Sequence, residues 1–249
     1  MKIQIPFLYP REPLVYDADS IAEAVARAVK EDADLTRADL SNADLRGADL
    51  RGANLREADL SRDNLASADL SETSLRYAKL NGSNLGCANL EDADLTRADL
   101  SNANLSNANL YRVNLYRANL SYADLSGANL HHADLRYAYL SHANLYYANL
   151  EDANLQRASL IGAKVQGKTL WGKRPFLSLG ACGSVGRTTL AFFFEDGSEP
   201  FIMCGCFEGD LTEFAERIQK KHAGTFHEVE YNAMVNYIKA LYKEQQENK

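Results

Sequence analysis

The chain has 249 residues, an ordinary apolar content of 46% and a formal net charge of −7. That allows one large domain or a domain with appendages, and a sizeable core. It excludes a membrane span, since no stretch approaches roughly 18 consecutive apolar residues, and its acidity opposes long-range attraction to nucleic acid.

The start, MKIQIPFLYPREPLVYD, lacks the basic-then-apolar layout of a secretory signal. KIQI and PLVYDAD read as a short hairpin. SIAEAVARAVK then reads as a helix with Asp19 or Ser20 as N-cap and Ile21, Ala24, Val25 and Ala28 on one face. Residues 1–31 are therefore expected to be an N-terminal cap.

Residues 32–167 are governed by a period of five. Leu fills every fifth position from Leu35 to Leu160, 26 leucines in all, and Val165 continues the register. A small residue sits two before each, from Ala33 and Ala38 onward to Ala163, and Asp or Asn stands between them in most repeats. A helix with Leu at every fifth place would rotate its apolar stripe around the surface, and a strand needs a period of two. Stretches such as ADLSNADLRGADLRGANL resemble the pentapeptide-repeat family, whose pattern is A(D/N)LXX. The resemblance implies an all-β, right-handed quadrilateral β-helix with four repeats per square coil, Leu and the small residue inward and the other three positions outward. Twenty-seven repeats would give nearly seven coils, a rod about 30 Å long at the inter-strand spacing.

Residues 20 apart are then stacked neighbours. One face carries Arg37, Arg56, Arg76, Arg97, Arg117, Arg136 and Arg157, with Tyr77, Tyr116 and Tyr137 interleaved. It reads either as an anion-binding or nucleic-acid-binding strip, or as a solvated face whose arginines pair with Glu57, Asp34, Asp94 and Asp134. Residues 31–165 carry 19 acids and 13 bases, and Asp34, Asp39, Asp44 and Asp49 ring the first coil. Some relatives modulate DNA gyrase by mimicking DNA. Here the column Glu72, Asp92, Arg112, His132, Asp152 mixes acid with base, the central positions are never Phe, and no register break would let a loop project. The later coils are aromatic: Tyr111, Tyr116, Tyr122, Tyr137, Tyr139, Tyr146 and Tyr147, with His131, His132 and His142. Tyrosine supplies contact area with a polar tip, so this half is the expected partner surface. Asp63, Thr73 and Ser83 break the small inward position. Asp63 is expected to bond the Ser83 hydroxyl and nearby backbone N–H groups, or to lie at a bulge that admits water.

The period decays at Lys168 and Trp171, so residues 168–249 are expected to be a separate, small α+β module of ββαα form. TTLAFFFEDGSEPFIMCGCF suggests two strands about a DG turn. Asp210 with Glu213 reads as a capping box opening a helix with Leu211, Phe214, Ala215 and Ile218 inward. A second helix near 228–244 places Tyr231, Met234, Val235, Ile238, Leu241 and Tyr242 on one side.

No chemistry stands out. Cys204 and Cys206, with Cys182, His222 and His227, match no standard zinc spacing and read as structural thiols; with Cys87 they form no disulfide framework. His131 and His132 below Glu151 and Asp152 read as an ion-paired surface before a metal or proton site. GACGSVGR precedes a strand and does not read as a phosphate loop, and no nucleophile–base set is recognisable. The expectation is a cytoplasmic, non-enzymatic scaffold without cofactor or metal that engages and inhibits or modulates a protein partner, such as a nucleic-acid enzyme or a component of bacterial or phage defence. Direct nucleic-acid binding through the Arg/Tyr face and DNA-mimic modulation of gyrase stand as alternatives. The identity of the partner and the oligomeric state stay open.

Overall fold

The computed structural model describes residues 1–9, 11–170, 176–182, 187–204 and 207–247, and the chain divides into two compact units, Met1–Ser159 and Leu160–Lys249. Among the described residues no helix is long and apolar enough to cross a membrane.

The first unit opens with a hairpin of β1 (Lys2–Ile5) and β2 (Leu14–Asp17), antiparallel with Ile5 opposite Leu14. Helix α1 (Ile21–Lys30) follows, with Ser20 as N-cap: its hydroxyl accepts from the Glu23 N–H at 3.1 Å, and Glu23 accepts in return from the Asp19 N–H. Ala24, Val25 and Ala28 are its buried face. Between the two strands of the hairpin, the chain closes the first coil. Phe7 bridges Ala38 in antiparallel sense, the Leu8 N–H donates to the Arg37 carbonyl, and the Asp39 N–H donates to that of Pro6. An edge that would otherwise template another chain is thereby paired.

The coils repeat every twenty residues, with parallel bridges from Asp39↔Asp59 through to Tyr139↔Ser159. One repeat shows why the sequence has its period. The Ala98 N–H donates to the Leu95 carbonyl at 2.9 Å and closes a turn whose third residue, Arg97, has φ 59. A positive φ only at that place is the type II turn. Three further N–H groups reach the coils on either side: Leu95 to Asn114, Arg97 to Tyr116, and Asp94 to Thr73, at 2.8, 3.0 and 3.0 Å. The fifth, on Thr96, donates to the Asp94 side chain at 3.0 Å. Every backbone donor of the repeat is thus satisfied, and the Asp/Asn slot supplies the acceptor the backbone lacks. Where Asn recurs in that slot its amide also donates to the coil before, as from Asn104 to Asn84 at 3.0 Å and from Asn84 to Asn64 at 3.3 Å.

The leucines fill the interior with essentially no exposure, and the alanines between them leave room for their stacking. Asp63, Thr73 and Ser83 are buried with them. Asp63 does not bond Ser83. The Ser83 hydroxyl donates to the Leu80 carbonyl of its own turn at 2.7 Å, which leaves it no proton to offer. The backbone half of the expectation holds: Asp63 Oδ1 accepts from the Ala43 N–H at 2.9 Å, while Oδ2 is buried with no hydrogen-bond partner. Burial, with Asp59 and Asp39 adding their charges, pushes the Asp63 carboxyl up to about 7 against the pull of that N–H.

The second unit begins with a small hairpin, β3 (Lys164–Val165) and β4 (Lys168–Thr169), turned by Gln166 and Gly167 at φ 50 and 75. A four-stranded antiparallel meander follows: β5 (Phe176–Cys182), β6 (Arg187–Phe192), β7 (Phe201–Cys204) and β8 (Phe207–Asp210). Helices α2 (Leu211–His222) and α3 (Phe226–Glu247) complete it. The expected two strands are four. The predicted pair corresponds to β6 and β7, whereas β5 and β8 carry interior glycines, Gly180 and Gly209, and β8 runs directly into the helix cap. The Asp210–Glu213 capping box is present. Leu211, Phe214 and Ile218 of α2 and Tyr231, Met234, Val235, Ile238 and Leu241 of α3 pack with Ala191, Phe193, Ile202 and Phe207 in one core. Ala215 and Tyr242 are partly buried beside it, and the Tyr242 hydroxyl donates to the Gly197 carbonyl at 2.6 Å.

Candidate partner-binding surface

The outward side chains sit at the turns, two consecutive residues per corner, and at the Asp/Asn slot before each leucine, so each column of the solenoid is a ladder with one rung per coil. The first coils are internally neutralised. Arg11 pairs with Asp34 at 3.2 Å, Arg46 with Asp44 at 3.1 Å and Arg51 with Asp49 at 2.8 Å. Hydrogen bonds from Thr36 hold the Asp34 carboxyl low, and the Arg51 guanidinium does the same for Asp49. Lys79 occupies a slot normally given to Asp or Asn in the column Asp39, Asp59, Lys79, Asp99, and it reaches Asp59 at 3.1 Å. It is the cation of a column in which Asp39 and Asp59 stand on successive coils. The acids of this end make no continuous phosphate-like stripe.

The predicted arginine face divides. Arg37 and Arg56 pair with Glu57, Arg76 with Asp94, and Arg136 with Asp134 at 2.6 Å. Asp34 is engaged by Arg11. Among the described residues, Arg97, Arg117 and Arg157 have no carboxylate within salt-bridge distance. Tyrosines receive them instead. Arg117 lies 5.3 and 5.5 Å from the ring centres of Tyr116 and Tyr137, Arg97 lies 5.6 Å from Tyr77, and Arg157 lies 5.4 Å from Tyr137 and donates to its hydroxyl at 2.9 Å. These are cation–π distances. Arg97, Arg117, Tyr137, Tyr139, Arg157 and Ser159 line a shallow cleft of about 540 Å³.

The seven predicted tyrosines do not share one patch. Tyr116, Tyr137 and Tyr139 belong to the arginine strip, and Tyr116 and Tyr137 meet edge-on at 5.6 Å. Tyr122 stacks flat on His142 at 4.8 Å at a second corner, and Tyr146 and Tyr147 sit together at a third. Tyr111 stands edge-on to His131 and His132 at the fourth. Tyr122, Tyr139 and Tyr147 are the most open, at 61%, 56% and 67%. Ser159 was not singled out from the sequence, although Tyr139 and Ser159 both replace Asp or Asn in one column, and that replacement is the legible sign of the cleft.

In the second unit, Cys206 and residues 183–186 of GACGSVGR lie outside the described residues, as does the Cys182 side chain. Cys204 accepts a hydrogen bond from the Thr189 hydroxyl, and the His222 and His227 rings lie 6.3 Å apart.

The pentapeptide repeats family matches in eight copies over residues 31–62, 64–102, 98–136 and 133–172. Among solved structures, HetL of the cyanobacterium Nostoc sp. strain PCC 7120, a pentapeptide repeat protein involved in heterocyst differentiation regulation, is 35% identical over 53% of this chain and 74% of its own, with a TM-score of 0.28. Rfr23 of the cyanobacterium Cyanothece 51142 is 32% identical over 47% of this chain and 87% of its own, TM-score 0.35. A trypsin-treated form of QnrB1, a plasmid-mediated fluoroquinolone resistance protein, is 23% identical over 51% and 76%, TM-score 0.30. No curated protein sequence matches the chain. With its repeats matched over more than half its length, the chain belongs to the pentapeptide repeat family.

Proposed function

We propose that this protein is a non-enzymatic, cytoplasmic scaffold whose solenoid, wound as the right-handed quadrilateral β-helix its family implies, binds and modulates a protein partner. The second unit is a small α+β module appended to it. The observation that carries this reading is the strip of Arg97, Arg117 and Arg157 laid against Tyr77, Tyr116 and Tyr137 without carboxylate neighbours. Arginine and tyrosine are the residues that dominate binding energy at protein interfaces, and an arginine held by an aromatic face loses less freedom when a partner arrives. The complement is an acidic or carbonyl-rich protein surface. The test is capture of binding proteins by the full chain and by its Arg97→Ala/Arg117→Ala/Arg157→Ala variant. A partner retained by the first and lost by the second supports the reading, and equal retention by both removes the strip from the interface.

Direct nucleic-acid binding through the same strip is the second reading, favoured by the same unneutralised guanidinium groups. The surplus of six acids over bases in residues 31–165 opposes it. We expect no sub-micromolar affinity for duplex DNA at physiological salt. A gel shift showing such binding, weakening steeply with salt, would promote the second reading over the first.

A further inference from the structure

His131 and His132 share one corner of the solenoid, and Asp152 stands at the same corner one coil on. A ring nitrogen of each histidine and a carboxylate oxygen of Asp152 all lie within 4.8 Å of one another, and His131 Nε2 is 3.9 Å from Asp152 Oδ2. The turn produces this. Neighbouring residues on a strand face opposite ways, but the positive φ of His132, 59°, puts both rings on one side with centres 4.1 Å apart. Tyr111, one coil earlier, stands edge-on to both rings at 5.6 and 5.9 Å and backs them. The competing cation, Arg112, sits one coil below His132 and is held by Asp92 at 3.3 Å.

We propose that His131, His132 and Asp152 form a binding site for one divalent transition-metal ion of zinc type. Two imidazoles and a carboxylate are the donor set of open zinc sites, which leave a fourth position to water or an incoming ligand. Donors about 2.0–2.2 Å from such an ion lie roughly 3.3–3.5 Å from one another, so the gap closes by side-chain rotation alone. The backbone beneath is already fixed: Arg112 N–H donates to the His131 carbonyl at 2.9 Å, and His132 N–H to that of Glu151 at 3.0 Å. The ion would staple two successive coils and stabilise the folded chain by mass action. This inference does not rest on the partner-binding strip, which lies at another corner.

The experiment is a calorimetric titration of the metal-free full chain with Zn2+, paired with thermal melts. The wild type takes up zinc stoichiometrically and melts higher with it. The His131→Ala/His132→Ala variant takes up one equivalent less, and the near-isosteric Asp152→Asn weakens uptake at least tenfold while keeping the wild-type circular dichroism. The His222→Ala/His227→Ala variant keeps the site. No uptake by the wild type, or equal uptake by the wild type and the His131→Ala/His132→Ala or Asp152→Asn variants, overturns the proposal.

Discussion

The two ends of the solenoid share one backbone and one core but handle charge in different ways. In the early coils nearly every guanidinium is committed to a carboxylate, as Arg46 is to Asp44 and Arg51 to Asp49. In the later coils Arg97, Arg117 and Arg157 rest on tyrosines, and histidines pair with rings, as His142 does with Tyr122. A repeat that satisfies all its own backbone donors leaves the corner residues free of structural duty. One end can then be a neutralised support and the other an uncommitted surface, with no change of fold.

That view is open to test first in the core, where the ends are expected to be alike. Leu50 and Leu130 are both fully buried. Leu50→Ala and Leu130→Ala are each expected to cost about 3–5 kcal/mol, measured by urea unfolding. A gap of more than about 1.5 kcal/mol between them would mean that the coils are not equivalent supports, and the contrast would lie deeper than the surface.

The next effect is confined to the early coils. Asp63 is a carboxylate in a slot built for Ala, its Oδ2 unbonded and its folded pKa raised to about 7. The unfolded chain releases this proton near pH 4, so the folded state binds the extra proton between about pH 4 and 7, and stability falls as pH rises through that window. Above it the fold carries a buried charge. Asp63→Ala orphans nothing, because the Ala43 N–H also donates to the Leu40 carbonyl at 3.0 Å. The variant is expected to be more stable by about 2–4 kcal/mol at pH 8 and to lose the slope between pH 4 and 7. A loss of stability would instead make Asp63 an anchor of the early coils. Asp34 and Asp49, with lowered pKa values, act in the opposite sense and only at more acidic pH.

How legible each region was follows from its physics. In the solenoid one period fixes burial and turn together, so the leucine register located the core, while the twenty-residue stacking came from the family resemblance, which implies four repeats per coil. Side-chain partners were less legible: Asp94 was named as a partner of the arginine face and pairs with Arg76, but stacking distance alone could not say that Ser83 would turn to Leu80 or that Arg117 would reach a ring. Lys79, which stands where most repeats have Asp or Asn, is a neutralising rung. In the second unit, the capping box at Asp210 and the stripe of α3 could be read because each is a local signal. Strands β5 and β8 could not, since their interior glycines weaken the strand signal. The metal-type cluster was visible as a stacked His–His and Glu–Asp pair, but only the geometry selects Asp152 as the donor.

Lys79 tests the early coils more finely. Its ion pair with Asp59 lies in a column that otherwise holds Asp39, Asp59 and Asp99 without a cation. Lys79→Ala is expected to cost about 1 kcal/mol at low ionic strength, and less as salt screens the column. A cost that does not change with salt would assign Lys79 a packing role rather than a neutralising one.

The smallest effect compares one glycine from each end. Gly47 and Gly127 occupy the same turn position, at φ 64 and 66. A Cβ on Gly47 would meet nothing within 4 Å, whereas on Gly127 it would fall 2.4 Å from Asn107 Oδ1. For Gly47→Ala, left-handed strain of about 1 kcal/mol is opposed by about 0.4–1 kcal/mol of lost unfolded-state entropy, so stability should barely change. This backbone already carries Arg, Tyr, Asn and His at equivalent turns, which is why the strain is tolerable. Gly127→Ala bears the same two terms and must also displace the exposed Asn107 side chain, adding a few tenths of a kcal/mol. Thermal melts of the two variants should therefore differ slightly, with Gly127→Ala the lower. If Gly47→Ala were the more damaging, the early coils would be the more tightly constrained of the two ends, and the picture of a passive support would fail.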